Sequence, residues 1–247
     1  MIRKSLEEGV CTLRLDRAEK KNALTGAMYA DLAEALEDGN SDENVKCHLI
    51  CGQPGAFTAG NDIADFLKFA GKGDLSNTPV IRFLKAVALN EKPIVAAVDG
   101  LAIGVGTTLL MHCDMVFATK TSTFKTPFVD LGLVPEAGSS LLAPRLMGHA
   151  RAFELLCLGA TFDAERAHAV GIVNHIEDDV EAVALVCARA IAAKPPQAMK
   201  LSRDLLLGDR KDLLERIDEE ARIFGERLSA PETIAAFQAF MMMKPKG

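Results

Sequence analysis

The chain has 247 residues and a formal net charge of −6, with 49% hydrophobic and 25% charged residues. This length and apolar content suit one large domain, with or without a small appendage, and a sizeable buried core. The acidic balance argues against binding to a nucleic acid duplex, which requires a basic surface, but leaves room for a local basic pocket.

Neither a membrane span nor a metal site is expected. The most apolar stretch, residues 93–118, is interrupted by Asp99, Asp114 and glycines, so it is not predicted to cross a bilayer. The first residues lack the long apolar run of a signal peptide, and we expect a cytoplasmic protein. The six cysteines form no C-x-x-C pair, which predicts free thiols in a reducing compartment.

The first half of the sequence alternates strand and helix patterns. Residues 10–15 alternate in polarity and predict a strand, and Thr25 is predicted to begin a helix that runs to about Glu37. A second strand is predicted at 45–51, and the continuous apolar run at 93–98 predicts a further strand that is buried on both faces. This order predicts an α/β fold.

The pattern continues through a glycine turn and then becomes mostly helical. Residues 101–103 lead into a turn at 104–106, and a helix to about His112 and a strand at 115–118 are predicted. Asp163 is predicted to begin a helix over 164–170. Further helices are predicted at 180–193, 197–207, 211–227 and 231–243, and a mobile loop at 69–79.

Two glycine turns have more than one interpretation. The first, Gly104-Val105-Gly106, follows an apolar strand, but Leu109 occupies the third glycine position of a dinucleotide-binding loop, and no G-K-[S/T] follows. A tight turn needed only for packing remains an equal alternative. Together with the turn at Ala59-Gly60-Asn61, it could instead offer two backbone N–H groups to one developing oxyanion.

Glu136 lies in an apolar loop, residues 133–139, that contains no basic residue. Carboxylates avoid such places unless they are paired, and loss of water raises the pKa of a carboxyl group, which makes it a better base near neutral pH. The alternative is a carboxylate at the N-terminus of the helix that follows. Competing acids are Asp62 and Asp65, with Asp62 interpreted as holding its turn, and Asp130, which could face either way.

Several motifs in order along almost the whole chain resemble the crotonase family of acyl-CoA enzymes. They are residues 16–24 (DRAEKKNAL), 57–63 (FTAGNDI), 97–104 (AVDGLAIG), 113–114 (CD) and 167–173 (AHAVGIV). The resemblance implies a spiral of β-β-α units in an acyl-CoA-binding core, residues 1–190. It also implies a C-terminal helical region, residues 191–247, that builds trimers, often paired into hexamers.

The same resemblance assigns a site for an acyl-CoA thioester. It implies that the backbone N–H groups of Asn61 and Val105 hold the thioester oxygen. Coenzyme A, which is part of the substrate and leaves no need for a separate cofactor, is expected along the residues Ala23, Ala59, Asn61, Asp62 and Ile63, with Lys20 or Lys21 near its phosphates.

Within that family the sequence is most similar to the 3,2-enoyl-CoA isomerase branch. The two glutamates that activate water in the hydratases align with Thr108 and Phe128, and neither can act as an acid or base. In the isomerases a single glutamate, at the position of Glu136, moves the proton. A hydratase-like or other acyl-CoA activity is the alternative. A non-catalytic acyl-CoA-binding or scaffold protein is a remoter one, which the presence of Glu136 disfavours.

Overall fold

The computed structural model describes residues 1–66 and 75–242. The strands of this part of the chain are β1 (Ile2–Glu7), β2 (Val10–Leu15), β3 (Cys47–Cys51), β4 (Ala56–Thr58), β5 (Ile94–Val98), β6 (Leu101–Ile103), β7 (Met115–Ala118), β8 (Thr123–Lys125), β9 (Phe162–Asp163) and β10 (His175–Ile176). The helices are α1 (Gly26–Ser41), α2 (Ile63–Phe66), α3 (Pro79–Leu89), α4 (Val105–Thr108), α5 (Ser139–Met147), α6 (His149–Leu156), α7 (Ala164–Ala169), α8 (Val180–Ala192), α9 (Pro196–Leu207), α10 (Lys211–Leu228) and α11 (Pro231–Met242).

Within these residues the strands form two sheets. The larger has the order β1-β2-β3-β5-β7-β10 and is parallel except for the β1–β2 pair. The smaller has the order β4-β6-β8-β9 and is parallel except for the β8–β9 pair. Each of β3, β5 and β7 is followed by a strand of the smaller sheet, so successive β-β units stack as a spiral, and the predicted α/β fold class is confirmed.

The larger sheet is covered on both faces, as its continuous apolar strands require. Helix α8 places Val180, Ala184 and Ala188, four residues apart, in a buried row against the sheet residues Val95 and Phe117. Helices α1 and α3 pack against each other, and their buried residues belong to the main core. Helix α10 in turn contacts α3 and α5, which brings the C-terminal region over the loop that contains Glu136.

Most predicted element positions are confirmed, with shifted ends. The side chain of Thr25 accepts a hydrogen bond from the Met28 N–H at the start of α1, although the helix continues to Ser41. The helix predicted to reach His112 is a single α-helical turn that continues as a 3₁₀ turn. The sequence patterns did not identify the strands β1, β4, β6, β8, β9 and β10 or the helices α2, α3 and α6.

The predicted loop at 69–79 lies partly outside the described residues, and its last two positions belong to the start of α3. The side chain of Thr78 accepts a hydrogen bond from Ile81 N–H, and Pro79 is the first helical residue, where its missing N–H costs nothing. All six cysteines are free, as predicted. Across residues 1–66 and 75–242, no helix has the length and apolar character needed to cross a membrane.

Candidate active site

The first part of the site is built around a buried asparagine that the sequence patterns did not single out. The side chain of Asn22 donates hydrogen bonds to the carbonyls of Ala56 (2.8 Å) and Phe57 (3.2 Å) and accepts one from Arg17 N–H (2.8 Å). Arg17 also donates to the carboxylate of Asp62 at 2.7 Å. These contacts fix the turn of residues 17–24 against β4 and the loop that follows it.

The residues expected to line coenzyme A therefore lie side by side. Ala59 N–H donates to the carbonyl of Lys21 (2.9 Å), and Asp62 N–H donates to that of Leu24 (2.9 Å). Lys20 and Lys21 are exposed at one end of this strip, and Ala23 and Ile63 are partly buried. Leu24 and Asn61 form a parallel bridge. Its two hydrogen bonds run from Leu24 N–H to the Gly60 carbonyl and from Asp62 N–H to the Leu24 carbonyl. In such a bridge the N–H of Asn61 points away from Leu24.

The second turn presents an N–H group at the start of α4. Gly104 has φ +56°, donates to the carbonyl of Lys125 (2.8 Å) and accepts from the N–H groups of Thr107 and Thr108. Val105 begins the helix, where backbone N–H groups have no intrahelical acceptor. Among the described residues, neither the Val105 N–H nor the Asn61 N–H has a hydrogen-bond partner.

Glycines allow the two turns to lie in direct contact. A Cβ atom at Gly60 would lie 2.8 Å from the carbonyl oxygen of Ile103. A Cβ atom at Gly106 would lie 2.5 Å from Cγ2 of Thr58. Both distances are shorter than a side chain tolerates, so only glycine permits this approach. The glycines are therefore needed for tight packing, and this packing also places the two free N–H groups on neighbouring segments. A role of the turns in binding stays a prediction.

Glu136 lies in a strained loop before α5. The next two residues, Ala137 and Gly138, have φ values of +63° and +68°, so a residue with a side chain adopts the left-handed region directly beside the glutamate. His112 Nε2–H donates to the Ala137 carbonyl at 2.7 Å and holds it in place. The Glu136 side chain is turned inward, with 7% of the residue exposed.

Inside the protein the carboxylate of Glu136 contacts a hydroxyl. Thr108 Oγ1 donates a short hydrogen bond to Glu136 Oε1. Burial raises the pKa of Glu136 to about 8, although the hydrogen bond from Thr108 opposes this rise, and the nearby charge of Glu220 adds to it. A carboxyl group with a pKa near 8 is partly ionised at neutral pH and is a strong base once ionised.

The alternative role for Glu136, as a carboxylate at the N-terminus of a helix, is wrong. The N–H groups at the start of α5 are instead bound by Glu220 of α10, which accepts from Gly138 (2.6 Å) and Ser140 (3.0 Å). Because another acid occupies the helix terminus, Glu136 is left to face the interior.

Glu136 borders an apolar cavity. We call it the Glu136 cavity; it has a volume of about 30 Å³ and is lined by Asn61, Leu75, Thr78, Val80, Ile81, Leu84, Glu136, Ala137, Ile217, Ala221 and Phe224. A second, larger one, the Phe128 cavity, has a volume of about 110 Å³ and is lined by Ala59, Gly60, Asn61, Ile63, Ile103, Gly104, Pro127, Phe128, Leu131, Leu133, Phe224 and Phe237. Asn61 and Phe224 border both, so the cavities meet at the first turn.

The single tyrosine of the chain also belongs to this site. The hydroxyl of Tyr29, on α1, donates a short hydrogen bond to the side-chain oxygen of Asn61. Burial, and secondly the charge of Glu136, raise the pKa of Tyr29 well above its usual value, so the hydroxyl stays protonated and remains a donor. The sequence contained no signal for this contact, because the two residues are 32 positions apart.

The competing acids do not border the cavities. Asp62 accepts from Asp65 N–H (3.0 Å) and pairs with Arg17, as a residue that holds its turn does, and Asp65 accepts from Gly26 N–H (2.6 Å). Asp130 is exposed and lies 3.7 Å from Lys125 Nζ. Glu136 is therefore the only carboxylate that lines either cavity among the described residues. No group of three or more metal-ligating side chains occurs in that part of the chain.

Comparison with known proteins agrees with this geometry. The sequence model of the enoyl-CoA hydratase/isomerase family matches residues 5–244. The chain belongs to this family, whose fold is that of crotonase, and the family expectation from the sequence motifs is confirmed.

Curated relatives with isomerase names are among the similar proteins. Enoyl-CoA delta isomerase 2 of Rattus norvegicus is 34% identical over 247 residues, which cover 97% of this chain but only 63% of the rat protein. The 1,2-epoxyphenylacetyl-CoA isomerase of Escherichia coli is 33% identical over 245 residues, covering 95% of this chain and 94% of that protein. The structure of Pseudomonas aeruginosa OdaA matches with a TM-score of 0.93 and 46% identity, covering 98% of this chain and 99% of that one.

Proposed function

We propose that this acyl-CoA enzyme is an enoyl-CoA isomerase that moves a double bond from the β,γ to the α,β position of a thioester. The observation that carries the proposal is Glu136, a buried carboxylate with a pKa of about 8 beside an apolar cavity and next to a turn with a free N–H group. The isomerase names of relatives from rat and Escherichia coli support the same reaction class.

The proposed reaction needs one base and two hydrogen-bond donors. The ionised carboxylate of Glu136 removes a proton from the α-carbon, and the electron pair moves onto the thioester oxygen as a dienolate. The N–H groups of Asn61 and Val105 bind that oxygen where its negative charge develops. Protonated Glu136 then returns the proton at the γ-carbon, which re-forms the thioester carbonyl and leaves an α,β double bond.

This route consumes no other reactant. The proton leaves and returns through one carboxyl group, so the reaction as written requires neither a metal nor a redox cofactor, and coenzyme A is part of the substrate. Ala23, Ala59, Asp62 and Ile63 form the strip proposed to contact coenzyme A, and the exposed ammonium groups of Lys20 and Lys21 lie at its end, where phosphates would be attracted.

Hydration is disfavoured by the two residues that stand at the hydratase glutamate positions. Thr108 uses its hydroxyl to hold Glu136, and Phe128 is a buried aromatic side chain that lines the neighbouring cavity. Neither can activate a water molecule by taking its proton. A non-catalytic acyl-CoA-binding role is disfavoured as well, because such a role does not require a carboxyl group with a raised pKa beside the cavity.

A homotrimer or hexamer and a cytoplasmic location remain predictions. The helix α9 supports an assembly of several copies, since it exposes a run of leucines that a second copy would cover, with Leu205 and Leu206 more than 80% exposed.

The proposed reaction is tested by two assays on one sample. Hydration of a 2-enoyl-CoA is followed by loss of its conjugated absorbance, and isomerisation of a 3-enoyl-CoA by gain of the same absorbance. We expect isomerisation to have the larger kcat/KM by at least about a hundredfold, the scale of one missing acid–base group. Faster hydration than isomerisation would contradict the proposal.

A further inference from the structure

A second buried carboxylate lies close to Glu136 and belongs to the C-terminal region. Glu220 projects from the middle of α10, and only 5% of the residue is exposed. A charged side chain this deeply buried needs strong partners, because removal from water is costly. Its partners lie on the loop that contains Glu136.

The carboxylate of Glu220 caps the N-terminus of α5, which has no capping side chain of its own. Gly138 is the N-cap residue of α5 and has no side chain to bind the free N–H groups of the first turn. Glu220 accepts from the N–H of Gly138 with one oxygen and from the N–H of Ser140 with the other. Arg216, one turn earlier on α10, donates to the Ser140 hydroxyl at 3.1 Å. Helix α10 therefore supplies the cap that α5 lacks.

We propose that Glu220 is a positioning residue of the active site that also places a negative charge near Glu136, and that this charge makes Glu136 a stronger base. Burial raises the pKa of Glu220, but the hydrogen bonds from Ser140 and Gly138 and the charge of Arg216 oppose this rise and favour its ionised form. The inference rests on the proposed isomerase function. The backbone contacts of Glu220 begin two residues after Glu136, so they hold the strained Ala137-Gly138 pair against α10 while His112 holds it from the other side.

The charges around Glu136 support this role. Burial is the largest cause of its raised pKa, and Glu220 is the charged group that raises it further. The other groups that face this region are Tyr29 of α1, which is protonated, and the neutral imidazole of His112, whose pKa burial lowers to about 4. On α10, Arg216 pairs with the exposed Glu219, and Asp218 pairs with Lys85 of α3.

The test is the pH dependence of kcat/KM in Glu220→Gln, which keeps the shape of the side chain and removes its charge. We expect the midpoint of the rising limb, which reports ionisation of Glu136 in the free enzyme, to move to lower pH. Glu215→Gln, on the exposed face of α10 where Glu215 pairs with the exposed Lys211, is the matched control and should leave the midpoint in place. A cap without electrostatic influence would lower kcat in Glu220→Gln and leave the midpoint unchanged, which would overturn the proposal.

A readout without substrate separates this proposal from the isomerase function. The protonated carboxyl of Glu136 is followed by infrared difference spectroscopy against Glu136→Gln, and its titration midpoint should fall in Glu220→Gln even if no isomerase activity is found. If Glu220→Gln does not fold, Glu220→Asp is titrated in its place. The side chain shorter by one methylene group draws the charge back towards α10, so the midpoint should fall, and an unchanged midpoint would overturn the proposal.

Discussion

Thr108 contacts Glu136, the proposed base. The family resemblance places Thr108 where the hydratases have a glutamate, and its hydroxyl donates to Glu136 Oε1. The hydrogen bond stabilises the ionised form of Glu136 against the effect of burial. Thr108 therefore adjusts the base without itself exchanging a proton.

Thr108→Val should weaken the base function at neutral pH. The substitution keeps the size of the side chain and removes the donor, so the pKa of Glu136 should rise and kcat/KM at pH 7 should fall roughly tenfold for each pKa unit of rise. The measurement is the pH profile of 3-enoyl-CoA isomerisation. Thr108→Ser keeps the hydroxyl and should retain the original profile, and a Thr108→Val profile that coincides with it would contradict this role.

The sequence identified Glu136 as a candidate but could not choose its role. An acid in an apolar loop next to a predicted helix fits both a base and a helix cap, and the choice depends on contacts with residues far away in the chain. Glu220, which caps α5, lies 82 positions after Gly138 in the sequence. Thr108, which binds the carboxylate of Glu136, lies 28 positions before Glu136. Such contacts leave no pattern in the local sequence.

At the scale of elements, the site depends on two turns held at backbone contact. Gly60 has φ +84°, and its hydrogen atoms face the Ile103 carbonyl, so the two segments approach more closely than any side chain allows. Asn61 is the next residue after Gly60, and Val105 is two residues after Ile103, so both free N–H groups lie close to this contact in the sequence. Their relative position is therefore fixed by the glycine contact.

Gly60→Ala should separate the two turns and weaken the oxyanion site. A Cβ atom would lie 2.8 Å from the Ile103 oxygen, and loss of one oxyanion donor costs about a hundred- to a thousandfold in kcat. Gly55→Ala is the matched control, because Gly55 has φ +81° but a Cβ atom at this position would meet no other atom within 4 Å. Both variants carry the same backbone strain, of about 1 kcal/mol. Equal isomerase kcat in the two variants would contradict the argument.

Element prediction succeeded at several strong local signals, but it missed the short strands of the smaller sheet and also longer elements such as β1 and α3. The side chain of Thr25 begins α1 as expected, and the apolar run at 94–98 is β5. The strands β4 and β8 have three residues each, too few to display a period, and they are strands because β6 lies between them. The smaller sheet that supports the site was therefore not predictable as a sheet from local sequence.

At the scale of the whole molecule, buried neutral groups link stability to pH. His48 in β3 is a buried imidazole and His112 a partly buried one. The pKa values of both are lowered to about 4, mainly by loss of contact with water and secondly, for His48, by the positive charge of Lys4. An unfolded histidine titrates at about 6.5. Between these values the unfolded chain binds more protons, so stability present above pH 6.5 is lost as the pH falls towards 4.

Urea unfolding at a series of pH values should reveal this dependence. Each of the two histidines can contribute up to about 3 kcal/mol of loss between pH 6.5 and 4. His48→Leu should reduce the slope of unfolding free energy against pH, and replacement of the exposed His149 by leucine should not. Glu136 acts in the opposite sense, because its raised pKa lets the folded chain bind an extra proton over the same pH range. The decisive comparison is therefore between variants, and equal slopes for the wild-type protein and His48→Leu would contradict the assignment of His48 as neutral.

The most direct test of the whole account is the activity of Glu136→Gln, which keeps the shape of the side chain and removes the base. We expect kcat/KM for 3-enoyl-CoA isomerisation to fall at least about a hundredfold, while the Kd of a saturated acyl-CoA thioester stays nearly unchanged. Asp130→Asn, at an exposed acid outside both cavities, should retain activity. Near-normal isomerisation by Glu136→Gln would contradict the assignment of Glu136 as the single base.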